Sequence, residues 1–175
     1  VSASQIVAAR QAGFVDLPLD PARVLAGAPD PAIVERAAAA LRAGVSVVVH
    51  SASGPDDPRV RAVEALAAGQ GGSRAQAQAR LAQRLAEIGR EILGQAPVAR
   101  LVVAGGDSSG AVMSALGGVA LTVEAAFAPG APLCRLHAPG LSIDGLPVVL
   151  KGGQMGSPEL FVQARDGLSP AAGAR

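Results

Sequence analysis

Leu101-Val102-Val103-Ala104-Gly105-Gly106-Asp107-Ser108-Ser109-Gly110 reads as a buried strand, a glycine turn and the first turn of a helix that continues toward Leu116. Residues 101–104 form a short apolar run of the kind a sheet interior accepts. Gly105 and Gly106 can adopt positive φ and leave room for another group to approach the backbone. Asp107 or Ser108 can cap the helix by accepting hydrogen bonds from free amides two or three residues on. Those same amides, with the helix dipole behind them, favour an anion such as a phosphate.

Further along, Lys151-Gly152-Gly153-Gln154-Met155-Gly156 follows the apolar run 146–150 and repeats the plan. It leads into Ser157-Pro158-Glu159, which offers a cap, a proline at the first helical position and an acid in the first turn. Taken singly, each cluster is most simply an ordinary tight strand–helix turn. Two such junctions, separated by a hairpin's length of chain, point to one shared phosphate site. Neither is a Walker loop, and Gly105-Gly106 does not begin a Gly-x-Gly-x-x-Gly fingerprint.

The ordered set of motifs resembles a known family. Gly105-Gly106-Asp107-Ser108-Ser109-Gly110-Ala111-Val112 resembles the Gly-Gly-Asp/Glu-Thr-Ser-Gly motif in the C-terminal nucleotide-binding domain of the four-carbon acid sugar kinases. Residues 150–156 resemble their Lys-Ser-Gly-Asn-Phe-Gly loop, with Gly152, Gln154 and Met155 as departures. Pro129-Gly130-Ala131-Pro132 and the opening Val1-Ser2-Ala3-Ser4-Gln5-Ile6 fit as well. The resemblance covers nearly the whole chain. It implies ATP or ADP bound by Gly105, Gly106, Asp107, Ser108, Ser109, Lys151, Gly152 and Gly153, with magnesium carried by the nucleotide. Ser108 stands where the family mostly has threonine, which keeps the hydroxyl.

The resemblance also implies a domain layout: residues 1–168 as the nucleotide-binding half, with an N-terminal acid-sugar domain as its partner; residues 169–175 carry no pattern and read as a flexible tail. That partner, whose aspartate-rich motif does not occur here, is expected to carry the catalytic residues. The chain starts without methionine, within a helix cap, which suits an excised piece. Half a cleft is expected to bind nucleotide without phosphorylating anything, because phosphoryl transfer depends on positioning and charge stabilisation. The intact protein is then expected to be an ATP-dependent kinase acting on a hydroxyl of a small-molecule substrate, a tetronate- or erythronate-type acid or its keto form.

Composition sets limits on the alternatives. At 175 residues the chain is long enough for a substantial core, and half of it is hydrophobic. With three Phe and no Trp or Tyr, packing falls to Ala, Val and Leu. A net charge of +1 gives no electrostatic case for nucleic acid or an acidic membrane. No apolar stretch approaches the roughly 20 residues a membrane span requires, and no signal peptide is evident. A single cysteine, Cys134, excludes an internal disulfide framework, fits a reducing cytoplasmic setting, and reads as a small core residue on a strand. Two His far apart, that one Cys and no carboxylate pair at ligand spacing leave no metal set. Lys151 is the single lysine, which makes it either a surviving surface residue or a mobile cation that neutralises phosphate charge.

Outside the glycine junctions, Ser2-x-x-Gln5 and Ser73-x-x-Gln76 are both capping-box patterns. The first opens a helix ending near Gly13, the second the longest helix, to about Leu93. Its Ala77, Leu81, Leu85, Ile88 and Ile92 share one face, with Arg74, Arg80, Arg84 and Arg90 turned to solvent. Residues 14–29 read as an extended connection with a short helix after Asp20-Pro21; Asp30-Pro31 and Asp57-Pro58 open two further helices. Strands are expected at 45–50, 101–104, 119–127, 133–137 and 146–150, the third and fourth antiparallel. A closing helix is expected at 157–165. His50, at a strand end, reads more simply as a structural residue than as a ligand contact. This order predicts an α/β domain with a mixed β-sheet of about five or more strands and helices on both faces.

Two rival functions share these residues. One is a non-catalytic domain that binds another phosphorylated metabolite. The other is a serine hydrolase, because Gly106-Asp107-Ser108-Ser109-Gly110 matches the Gly-x-Ser-x-Gly nucleophile elbow. Its partners would have to be Glu124, in mid-strand, and His137, the only later histidine.

Overall fold

The computed structural model describes residues 1–27, 30–54, 56–69, 72–105 and 108–167. Its elements in order are α1 (Ser2–Gln11), β1 (Val15–Pro18), α2 (Pro21–Leu25), α3 (Pro31–Arg42), β2 (Val47–His50), α4 (Pro58–Gly69) and α5 (Arg74–Gln95). There follow β3 (Leu101–Ala104), α6 (Ser108–Ala115), β4 (Ala120–Ala128), β5 (Ala131–His137), β6 (Pro147–Lys151) and α7 (Leu160–Asp166). The α/β class and the mixed sheet match the expectation. The strands divide, however, into a parallel β1-β2 pair and a four-stranded sheet ordered β3-β6-β5-β4.

The division follows from what each strand can pair with. β1 and β2 run parallel from Val15↔Val47 to Pro18↔His50. Residues 15–18 were expected only as extended chain, and they are extended, but they also ladder with β2. β4 and β5 form the expected antiparallel hairpin around Pro129-Gly130. β6 lies antiparallel to β5 and parallel to β3, in register from Leu101↔Val148 to Ala104↔Lys151.

α5 joins the two sheets. Its Leu81, Leu85, Ile88 and Ile92 pack with Leu17, Leu19, Val24, Ile33, Val34 and Ala37 beside the β1-β2 pair. One residue beyond Ile92, Leu93 belongs to the cluster of Val103, Met113, Leu116, Leu136 and Val148. Fully burying a Leu or Ile side chain stabilises by about 1.5–3 kcal/mol, so this one helix ties the two cores together. The capping box at its start is present: Gln76 N donates to Ser73 Oγ at 3.2 Å and Ser73 N to Gln76 Oε1 at 2.9 Å. Its arginines are exposed as expected, with Arg74 paired to Glu64 and Arg84 to Glu87. Cys134 is a buried strand residue, and burial raises its thiol pKa.

Two helix starts differ from expectation. α1 has Val1 as its N-cap with no side-chain cap bond, so Ser2 and Gln5 make no capping box. Both side chains are drawn instead to carbonyls some 150 residues away in sequence. Ser157-Pro158-Glu159 is a turn rather than the first turn of α7, which begins at Leu160. Ser157 is held there because its carbonyl accepts from Gln5 Nε2 at 2.8 Å and from Leu160 N at 3.2 Å. The expected tail at 169–175 lies outside the described residues.

Candidate functional site

β3 and β6 end level with one another, and their pairing continues one residue past the strands. Gly105 N donates to the Lys151 carbonyl at 3.0 Å. The chain therefore leaves both strands side by side into its two glycine loops, at the carboxyl ends of adjacent parallel strands. Ligands of open α/β sheets bind at such an edge. Gly105 has φ +133°, a conformation that L side chains rarely adopt.

Beyond it, α6 begins at Ser108, and Ser109 Oγ donates back to the Gly105 carbonyl at 2.9 Å. Gly106 and Asp107 lie outside the described residues, as does the side chain of Ser108.

The second loop is built against three other elements. Gly152 N donates to the Gly130 carbonyl at 3.2 Å, so the β4-β5 turn leans on it. Met155 packs over Gly130, where a Cβ would come within 2.5 Å of the methionine Cε. From α1, Ser2 Oγ donates to the Gly153 carbonyl at 2.9 Å, and Gln5 Nε2 to the Met155 and Ser157 carbonyls at 3.0 and 2.8 Å. Gly153, Gln154 and Met155 are exposed, and a Cβ on Gly153 would meet nothing within 4 Å. The loop is thus fixed from behind and open in front.

Lys151 is neither a surface residue nor a mobile cation, being 1% exposed. Its Nζ donates to the Gly153 carbonyl at 2.6 Å, to the Gly152 carbonyl at 3.1 Å and to Ser2 Oγ at 3.4 Å. Burial depresses its pKa, because desolvation disfavours the charged form.

Of the residues named from sequence, the structure brings Gly105 and Ser109 together with Lys151, Gly152 and Gly153. Sequence reading missed that Ser2 and Gln5 serve the same loop. Gln5 sits one helical turn before buried Ala9, and a polar residue on an apolar face signals a buried partner.

The hydrolase arrangement does not assemble. β5 runs antiparallel to β6, so its terminal His137 lies past the Arg135↔Pro147 pair, at the end of the sheet away from the glycine loops. His137 Nε2 is engaged with Thr122 Oγ1 at 2.8 Å, and Glu124 is paired with Arg135. Neither can serve Ser108.

His50 is likewise occupied, with Nε2 2.8 Å from Asp16 Oδ1 and Nδ1 3.4 Å from the Arg59 guanidinium. Arg59 pairs with the buried Asp57 carboxylate, which also accepts from Ser53 N and Oγ. This network ties Ser53 and Arg59 to Asp57, and Gly54 lies beside Ala3 of α1. An open hollow of about 450 Å³, lined in part by Leu93, Val98, Ile143 and Leu146, sits toward the amino end of β6. Among the described residues, none of either glycine loop lines it.

Comparison with known proteins bears on the same residues. A family model described as a nucleotide-binding C-terminal domain matches residues 1–161. A 3-oxo-isoapionate kinase of Paraburkholderia graminis is 46% identical over 171 residues, covering 95% of this chain and 36% of the relative. A 3-oxo-tetronate kinase of Pseudomonas savastanoi is 35% identical, covering 89% and 33%, and a D-threonate kinase of Salmonella typhimurium 32%, covering 75% and 30%. The chain thus spans about a third of the length of these curated relatives. A Haemophilus influenzae crystal structure shares the fold with a TM-score of 0.67 at 21% identity, covering 95% of this chain and 38% of its own. Among the described residues no helix is long and apolar enough to cross a membrane.

Proposed function

Since this chain belongs to the nucleotide-binding C-terminal domain family, we propose that its paired glycine loops bind ATP and ADP. The carrying observation is the Gly105–Lys151 backbone hydrogen bond, which sets the two loops side by side at the carboxyl edge of parallel strands. The residues proposed to hold the nucleotide phosphates are Gly105, Gly106, Asp107, Ser108 and Ser109 from the first junction, with Gly152 and Gly153 from the second, Lys151 supporting that second loop from behind. The fit is favourable: the second loop presents exposed backbone with open space before Gly153, and the first opens a helix whose free amides suit an anion. Among the described residues the loops offer amides and carbonyls and no cluster of carboxylates. Magnesium would therefore arrive on the nucleotide, which is usual where phosphates complete its coordination.

Within a longer protein, residues 1–168 would form the nucleotide half of a cytoplasmic, ATP-dependent sugar-acid kinase. Its other half would hold the acid and the groups that activate its hydroxyl. ATP would supply the phosphoryl group, and this chain's part is to grip and orient it; alone it would transfer nothing. The relatives' names make 3-oxo-isoapionate, 3-oxo-tetronate and D-threonate the first acids to test. Identity within the nucleotide half does not select among them, because acid-selecting side chains are expected elsewhere.

The test is a screen of those acids, with glycerol and glucose as controls, using full-length protein and ATP and following ADP release. Turnover of one or more sugar acids is expected. Activity confined to glycerol or glucose overturns the substrate and leaves the nucleotide reading intact. Calorimetric titration of the chain with ADP, GDP and a sugar phosphate covers the other half, and tight binding of the sugar phosphate alone would favour a non-catalytic metabolite domain.

A further inference from the structure

Among the described residues, Gln5 and Lys151 are the polar residues buried as a whole, and both face the same loop from behind. Lys151 comes to lie there through strand alternation. Successive side chains of a strand point to opposite faces, so Lys151 shares the face of Val149, which is fully buried in the cluster around Phe127 and Leu160. Its stem enters the core and its ammonium emerges beneath the loop. Among the described residues no carboxylate pairs with it. Its partners are the Gly152 and Gly153 carbonyls and the Ser2 hydroxyl.

Peptide geometry then fixes where the loop amides point. In a planar trans peptide the N–H of one residue is directed opposite to the C=O of the residue before it. With the Gly152 carbonyl turned to the ammonium, the Gly153 N–H is turned away from it. With the Gly153 carbonyl turned the same way, the Gln154 N–H follows. Among the described residues neither amide has a backbone acceptor, and both residues are exposed. Successive amides turned to one side form an anion-binding concavity.

We propose that Lys151 is a positioning residue: its buried ammonium gathers the Gly152 and Gly153 carbonyls and the Ser2 hydroxyl, so that the Gly153 and Gln154 amides face the phosphates while the ammonium itself does not touch them. The inference rests on the nucleotide reading for its ligand but not for the loop geometry. It also makes Ser2, on the first turn of α1, part of the same device.

The test is nuclear magnetic resonance of the nitrogen-15-labelled chain, following the loop amides and Lys151 Nζ, with calorimetric titration by magnesium ADP. In the ligand-free chain the Nζ protons are expected to be protected from exchange. On adding ADP the Gly153 and Gln154 amides should move while Nζ does not. Lys151→Met should displace those two amides in the ligand-free chain and weaken ADP by about tenfold or more, as loss of a charged hydrogen-bond donor implies.

A large Nζ shift on binding overturns the proposal. So does a Lys151→Met chain whose ligand-free loop resonances are unchanged while its affinity is lost, since either result makes the ammonium a direct ligand. Should Lys151→Met fail to fold, Ser2→Ala serves: it should displace the Gly153 and Gln154 amides of the ligand-free chain, and an unchanged loop spectrum counts against the device. If the wild type binds no ADP, the nucleotide reading falls, and the ligand-free spectra still decide whether Lys151 orders the loop.

Discussion

Gly156→Ala should be among the costliest single-methyl additions in this chain, and its cost can be worked from the local structure. Gly156 has φ +84°, a left-handed conformation that costs an L residue roughly 1–2 kcal/mol. A Cβ there would also lie 3.3 Å from Gln5 Nε2 and 3.4 Å from Leu160 Cβ, and would overlap Leu160 Cδ1 outright. Leu160 cannot swing aside freely, because it is fully buried among Phe127, Ala131, Val149 and Ala164. Forcing an extra methyl into such packing typically costs about 1–3 kcal/mol. Together the effects come to about 2–5 kcal/mol, a large share of the 5–15 kcal/mol that holds an ordinary domain folded.

Without Trp or Tyr, intrinsic fluorescence is a poor probe, so the assay is urea unfolding followed by far-ultraviolet circular dichroism. The midpoint should fall with the m-value unchanged. Gly153→Ala is the control. Its methyl would enter open space at an ordinary φ, so stability should stay within about 0.5 kcal/mol of wild type. ADP affinity should nevertheless fall, because the methyl stands where the phosphates approach. A loss below about 0.5 kcal/mol for Gly156→Ala would refute the packing argument.

Other perturbations follow from the buried polar groups. Gln5→Met unpairs the Met155 carbonyl, leaves the Ser157 carbonyl with Leu160 N alone, and should cost about 1–3 kcal/mol in the same urea assay. Gln5→Glu should be worse at neutral pH and recover on acidification, since a buried carboxylate facing two carbonyls is stable only when protonated. The Arg59 guanidinium, helped by Ser53, holds the Asp57 carboxyl well below the usual carboxylate range. Its contribution is therefore present above about pH 4 and is lost as pH falls below that, toward the depressed folded value. Asp57→Asn should flatten the acid limb of a stability–pH profile and cost about 3 kcal/mol at pH 7. Lys151 has the same sign in an alkaline window, although there it is the charged form that burial disfavours. Its folded pKa is depressed, so stability should rise as pH climbs from that value toward about 10.4, and Lys151→Met should abolish the rise.

The glycine junctions were legible because each sets glycine punctuation directly after an apolar strand, a local signal. Their adjacency was not, since it depends on β6 laddering with β3 rather than on anything near either motif. Ser73-x-x-Gln76 and Ser2-x-x-Gln5 are the same pattern with different outcomes. The first faces solvent and caps its own helix. The second meets carbonyls of residues 153–157, and tertiary contact overrides the local preference. β1 escaped notice because Asp16 and Pro18 interrupt a four-residue strand whose pairing is settled by distant β2. Lys151 was located but its orientation was not, although the alternation that buries Val149 carries the lysine stem inward too.

The central claim is that the two glycine loops form one nucleotide site. Its most direct test is to map amide shifts of the labelled chain during titration with magnesium ADP. A single saturable curve is expected for Gly105, Ser109, Gly152, Gly153 and Gln154 together, with His137 and residues 142–146 at the other end of the sheet unmoved. No binding, or shifts centred on residues 142–146 while both loops stay still, would contradict it.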